Sequence, residues 1–149
     1  MSMKKIVGLT AVILILVGVM LSEQAMAQKA TPITKTNMAS LKGTWQGQAN
    51  FGPGKVTTFV LRIDNEAPPF KGNAEFQNLP PEVGFNFPGN FSNATSYSGN
   101  FDNGMVTDKG NFIITGEGGN FGEFSLVGKD LDGWFYLWGT RGTMKLKKK

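Results

Sequence analysis

The chain has 149 residues, 15 basic and 11 acidic side chains for a formal net charge of +4, and neither cysteine nor histidine. Without thiolate or imidazole it lacks the ligands of most zinc and copper sites and the commonest general base. Disulfides are excluded too, so the fold must be held by packing.

Lys4 and Lys5 precede a 16-residue apolar stretch, Ile6 to Leu21, and Ala25-Met26-Ala27 sets small residues at positions −3 and −1 of a cleavage site. Residues 1–27 therefore read as a secretory signal peptide, which predicts export to a bacterial periplasm or the extracellular space. A spanning helix would want about 20 apolar residues, and a basic flank would follow it as a stop-transfer signal. No membrane span is expected after cleavage. Removing 27 of 149 residues leaves 122, enough for one domain with a single core. The basic excess collects at Lys147, Lys148 and Lys149, and no basic stripe interleaves with aromatics. Nucleic acid is not an expected partner.

Gln28 to Ser40 is polar, contains Pro32 and shows no periodicity, which predicts a flexible leader over residues 28–40. From Leu41 to Phe51 apolar or glycine residues alternate with polar ones. Side chains alternate faces along a strand, so Leu41, Trp45, Ala49 and Phe51 should face a core and Lys42, Thr44, Gln46, Gln48 and Asn50 water. Gly52-Pro53-Gly54 turns the chain, and Val56 to Ile63 alternates again with Phe59, Leu61 and Ile63 inward. These two runs should pair as a hairpin. Ala67-Pro68-Pro69 and Pro80-Pro81 break the pattern on either side of Gly72 to Leu79, whose Ala74 and Phe76 should face inward. Glu82 to Asn93 reads as a loop, and its Phe85 and Phe87 are candidates to cap a barrel mouth and to touch a ligand.

Gly-Asn-Phe occurs four times, beginning at Gly89, Gly99, Gly110 and Gly119. After the last three the chain enters segments suited to short strands, such as Phe112 to Thr115 and Phe121 to Val127. Glycine and asparagine tolerate the positive φ of tight turns, and a phenylalanine then opens the next buried face. A strand and its turn take about 8 to 12 residues, which matches the spacing. A solenoid would need likeness between the triplets, and there is none beyond turn residues. Lys129 to Gly133 reads as a hairpin turn ending in Asp-Gly, Trp134 to Gly139 as a strand, Thr140-Arg141-Gly142 as a turn, and Met144 to Lys147 as the last strand. The Asp130-x-Asp132-Gly133 spacing also suits the start of a calcium loop, but no bidentate glutamate follows, so no metal site is expected. The fold class is all-β: one antiparallel meander of about eight short strands over residues 41–147, closed into a barrel that leaves no exposed edges.

Leu41-x-Gly43-x-Trp45 followed by an all-β meander resembles the calycins, the barrel superfamily that holds lipocalins and avidins. The resemblance implies that Trp45 plugs one end of the barrel and that an arginine from the far end of the sheet packs over it, a role for which Arg141 is the candidate. The chain departs from lipocalins in having no helix after its last strand, and from fatty-acid-binding barrels in having a hairpin where two helices would stand. Gly47 replaces the polar ligand-binding residue of avidins, so biotin binding is not implied.

The densest aromatic run is Trp134-Phe135-Tyr136-Leu137-Trp138. Trp134, Tyr136 and Trp138 should point one way and Phe135 and Leu137 the other, leaving an apolar stripe whichever face lines the barrel. Covering loops, a subunit interface and a platform for a ligand are the three ways to use such a stripe. Catalysis by paired carboxylates would draw on Glu75, Glu117 and Glu123, which no motif brings together, and no other catalytic constellation is present. The reading is an exported barrel binding a small apolar or amphipathic ligand without a cofactor. Its alternative is a structural or adhesive surface protein that self-associates into a homo-oligomer through the aromatic strand.

Overall fold

The structure, a computed structural model, describes residues 28–149; the signal peptide read at residues 1–27 lies outside the described residues. The strands are β1 (Gly43–Asn50), β2 (Val56–Ile63), β3 (Phe70–Gln77), β4 (Ser96–Val106), β5 (Phe112–Thr115), β6 (Phe121–Val127), β7 (Asp130–Leu137) and β8 (Thr140–Lys148). All eight are antiparallel to their neighbours and follow one another as a meander, and β1 pairs with β8 to close the barrel. The all-β closed barrel expected from the alternation is the fold of this chain. Within the described residues the one α-helix is the single turn α1 (Pro81–Gly84).

Alternation fixes which side chains fill the barrel. Trp45 and Ala49 of β1, Phe59, Leu61 and Ile63 of β2, and Met144 and Leu146 of β8 are all buried. An eight-stranded barrel is just wide enough for side chains to fill, and here phenylalanine fills it. Phe51, Phe76 and Phe135 meet pairwise with ring centroids 4.8 to 5.7 Å apart near the end of the barrel where β1 finishes, called here the upper end. Below them Phe59 packs on Phe76 at 4.6 Å, and Phe112 joins Phe70 at 5.4 Å and Phe124 at 5.9 Å. The interior is a packed core and not an open chalice.

The lower end is closed by the segment expected to be a flexible leader, and that expectation is corrected. Ile33 is buried, its N–H donates to the Gly110 carbonyl at 2.9 Å, and the Thr31 N–H donates to the Leu126 carbonyl at 2.7 Å. A 3-10 turn, Met38–Leu41, then carries the buried Leu41 under the barrel. Polar composition hid this, because one isoleucine and the backbone supply the anchoring. Hydrogen exchange provides the check: the Thr31 and Ile33 amides should exchange slowly, as do those of the strands. Exchange at unprotected rates would return the segment to a mobile leader.

Three turns fall elsewhere than expected, and one of them, Thr140-Arg141-Gly142, is the start of β8. Asp130-Leu131-Asp132-Gly133 is not a turn but the first half of β7, and the chain turns at Gly128-Lys129, with Gly128 at φ 64°. In that position Asp130 stands opposite Lys147 and Asp132 opposite Lys145, so carboxylates face two charges of the basic C-terminal strand. Gly-Asn-Phe opens a strand after a turn at Gly110 and at Gly119, but at Gly99 it lies inside β4 and at Gly89 it forms a 3-10 turn within the β3–β4 loop.

Candidate functional site

Pairing around the barrel is complete except at one place. β4 is 11 residues long and β5 only four, and their register contains two pairs, Met105 opposite Ile113 and Val106 opposite Phe112. Above them the Asn103 side chain bridges to the Thr115 hydroxyl at 2.6 Å, and from there the two strands part. The upper half of β4 keeps β3 as its neighbour on one side and has no strand on the other.

A cleft of about 60 Å³ occupies this break. Tyr97, Gly99 and Phe101 of β4 form one wall, and Ile114, Thr115 and Gly122 of β5 and β6 form the other. Phe59, Phe76, Phe124 and Phe135 make the floor, and Asn120, Phe121, Tyr136 and Leu137 stand around it. No charged side chain is among the lining residues, so the cleft suits a neutral, largely apolar guest. Gly99 leaves room where a side chain would stand: a Cβ built there meets nothing closer than the Tyr97 hydroxyl at 3.4 Å.

Asn120 is the polar exception. It is 7% exposed, and its Oδ1 accepts the Trp138 backbone N–H at 2.9 Å, which settles the orientation of the amide. Its Nδ2 is buried and finds no acceptor among the described residues. A buried amide donor without a partner costs about 1–3 kcal/mol, so it stands out in a chain whose other buried side-chain polar atoms are satisfied within the described residues.

The structure distributes the aromatic residues singled out from sequence over four places. Tyr136, 42% exposed, lines the cleft. Trp134 lies on the outer face, with the Arg141 guanidinium 4.6 Å above its ring and Phe121 at 5.2 Å. Its indole N–H donates to Glu123 at 3.0 Å, and Glu123 also accepts from Asn111 at 2.7 Å, which engages one of the three carboxylates considered for catalysis.

Trp138 is not on the outer face with Trp134 and Tyr136, as the alternation suggested. Trp138 and Gly139 form the β7–β8 turn, both at positive φ, 41° and 84°, so the strand ends at Leu137 and the ring swings away. It packs at the upper end on Phe87 at 4.8 Å, Phe91 at 4.9 Å and Tyr97 at 4.6 Å. Phe87 is thus buried there, as a capping residue would be. Phe85 is not: it is 68% exposed. The turn of α1 and the bend after it place Val83 and Phe87 inward four residues apart, which turns Phe85 outward.

The pairing of Trp45 with Arg141 is also corrected. Trp45 is buried at the lower end, 2% exposed, and its indole N–H donates to the Leu41 carbonyl at 2.8 Å. The cation over its ring is Lys148, 5.4 Å from the centroid. Lys148 is the residue opposite Trp45 in the closing register, and Arg141, second residue of the same strand, stands seven residues earlier, roughly 23 Å away at about 3.3 Å per residue.

Sequence reasoning missed Tyr97, Asn120, Phe121 and Gly99. Three of them, Gly99, Asn120 and Phe121, sit within the Gly-Asn-Phe triplets, where turn chemistry explained the residue types and masked a second use. Among the described residues no group of three or more acidic side chains stands together as a metal site would need, and no helix is long and apolar enough to cross a membrane. Set against protein-family models, curated proteins and solved structures, the chain matches none.

Proposed function

We propose that this protein is an exported calycin-type barrel that takes a small apolar or amphipathic molecule into the cleft between β4 and the β5–β6 hairpin. The observation that carries the reading is the break in the barrel wall above Met105 and Ile113, floored by four phenylalanines and free of charge. Trp45 at the closed lower end matches the calycin pattern, with Lys148 in the place of the arginine. The packed interior sets the guest apart from that of a lipocalin, since pockets for drug-sized ligands run to about 300–1,000 Å³. The guest enters from the side, and only part of it is enclosed.

Size bounds the affinity. A guest that buries roughly 150–200 Å² of apolar surface gains about 4–5 kcal/mol at about 25 cal/mol per Å² before the cost of its lost translational freedom is subtracted, so its dissociation constant is no tighter than about 0.2 mM. Self-association through the aromatic strand has less to work with: Trp134 is already packed by Arg141 and Phe121, which leaves Tyr136 as the more exposed ring.

Ethylbenzene is a suitable probe, read by the methyl resonances of Ile114 and Met144, which line the cleft. Saturable shifts are expected in the wild type. Gly99→Leu should fill the cleft and abolish them while the protein stays folded, because a Cβ there makes only ordinary van der Waals contact, with the Tyr97 hydroxyl at 3.4 Å. Shifts that persist in Gly99→Leu, or never occur in the wild type, would refute the cleft.

A further inference from the structure

We infer that Asn120 is the specificity-determining residue of the cleft and that its guest is a neutral molecule carrying a carbonyl oxygen. The inference rests on the cleft being the binding site and goes on to name what the cleft selects. Three observations support it.

The first is the orphaned donor. Among the lining residues Asn120 alone combines near-complete burial with an unpaired polar atom, its Nδ2. The amide cannot relieve this by flipping, because the Trp138 N–H would then lose its acceptor and face a donor. Asn120 itself is held at both backbone ends: its N–H donates to the Glu117 carbonyl at 3.2 Å and its carbonyl accepts the Gly116 N–H at 2.8 Å. The donor is therefore fixed in position before any guest arrives.

The second is the sign of the missing group. An N–H requires an acceptor, so a hydrocarbon leaves the cost in place and a molecule whose polar end only donates does not remove it. The third is the absence of charge. With no lysine or arginine in the lining, a carboxylate would be desolvated with no cation to face it, which is far costlier than burying a ketone, ester or amide oxygen. A fatty carboxylate is excluded on this ground, and a neutral carbonyl compound satisfies all three conditions.

The test compares ethylbenzene, acetophenone and benzoate, which are close in size and differ in the polar end. Intrinsic partitioning differs between them, so the quantity to read is the ratio of the dissociation constants of acetophenone and ethylbenzene, in the wild type and in Asn120→Asp. Ionised aspartate keeps the oxygen that accepts from Trp138 and removes the donor, whereas protonated aspartate would restore one, so the ratio is read at about pH 8 and above. The ratio should rise about tenfold in the variant, equivalent to about 1.4 kcal/mol. In the wild type benzoate should bind least. The side-chain amide resonance of Asn120 supplies a second reading that needs no variant, so the inference stays testable even if Asn120→Asp fails to fold. Its protons should move downfield with acetophenone and stay in place with ethylbenzene. An unchanged ratio, or an amide resonance indifferent to acetophenone, overturns the role of Asn120 while ethylbenzene binding keeps the apolar cleft. If neither compound moves the Ile114 and Met144 methyls, the cleft itself is refuted and this inference falls with it.

Discussion

Trp45→Ala should destabilise the protein by about 3–5 kcal/mol, a large share of the 5–15 kcal/mol that holds a typical domain together. Three losses combine at this position. The ring is 2% exposed at the closed end of the barrel, so its removal leaves a cavity that neighbouring β-strands cannot collapse to fill. The Leu41 carbonyl loses the indole N–H that satisfies it, and the Lys148 ammonium loses the ring beneath it. Urea unfolding should show a lower midpoint at similar slope, since the change is in stability and not in the surface exposed. Trp45→Phe separates the terms: it keeps most of the ring and strands the Leu41 carbonyl, so a loss of about 1–3 kcal/mol is expected. A double-mutant cycle between Trp45 and Arg141 should be additive, because the two lie at opposite ends of the barrel.

The second large effect is expected at Gly47, where β1 crosses the seam with β8. A Cβ at this position would fall inside the van der Waals sphere of the Lys145 carbonyl oxygen and crowd the Leu146 Cα at 3.0 Å. The obstacle is backbone of the closing strand and not the end of a flexible side chain, so the cost of Gly47→Ala should reach at least the upper end of the range for overpacking, about 3 kcal/mol. The exposed neighbour Gln48→Ala should change stability by no more than about 0.5 kcal/mol. Comparable midpoints for the two variants in thermal unfolding would show that β1 and β8 do not approach so closely. Gly47 is thus a requirement of the seam.

The barrel could be read from sequence where each strand buries one face and wets the other, as β1 and β2 do. Legibility failed where a residue type had two uses. Asp132-Gly133 looks like a hairpin turn, yet Gly133 is needed inside β7, where a Cβ would meet the Glu123 carbonyl and the Phe124 ring. The real β7–β8 turn contains Trp138 in a backbone region that large side chains seldom adopt, and no propensity points there. Packing on Phe87, Phe91 and Tyr97 offsets that strain, and two of those partners, Phe87 and Phe91, come from a loop without a pattern. The cleft was illegible for a different reason. It arises from pairing that stops, since β5 is only four residues long while β4 runs on, and alternation cannot announce a missing partner.

The meander has a consequence for how the chain assembles. Seven of the eight strand pairings join neighbours in sequence, and only β1 with β8 brings together residues about a hundred positions apart. Closing a loop of that length costs roughly 2–3 kcal/mol more in chain entropy than closing a turn of a few residues. Hairpins can therefore zip up one after another at modest cost, whereas the last junction must gather its whole compensation at once. Part of that compensation lies at the lower end, where Trp45, Leu146 and Ile33 are all buried. The same residues that seal the barrel against water thus supply part of the reward for joining its first strand to its last.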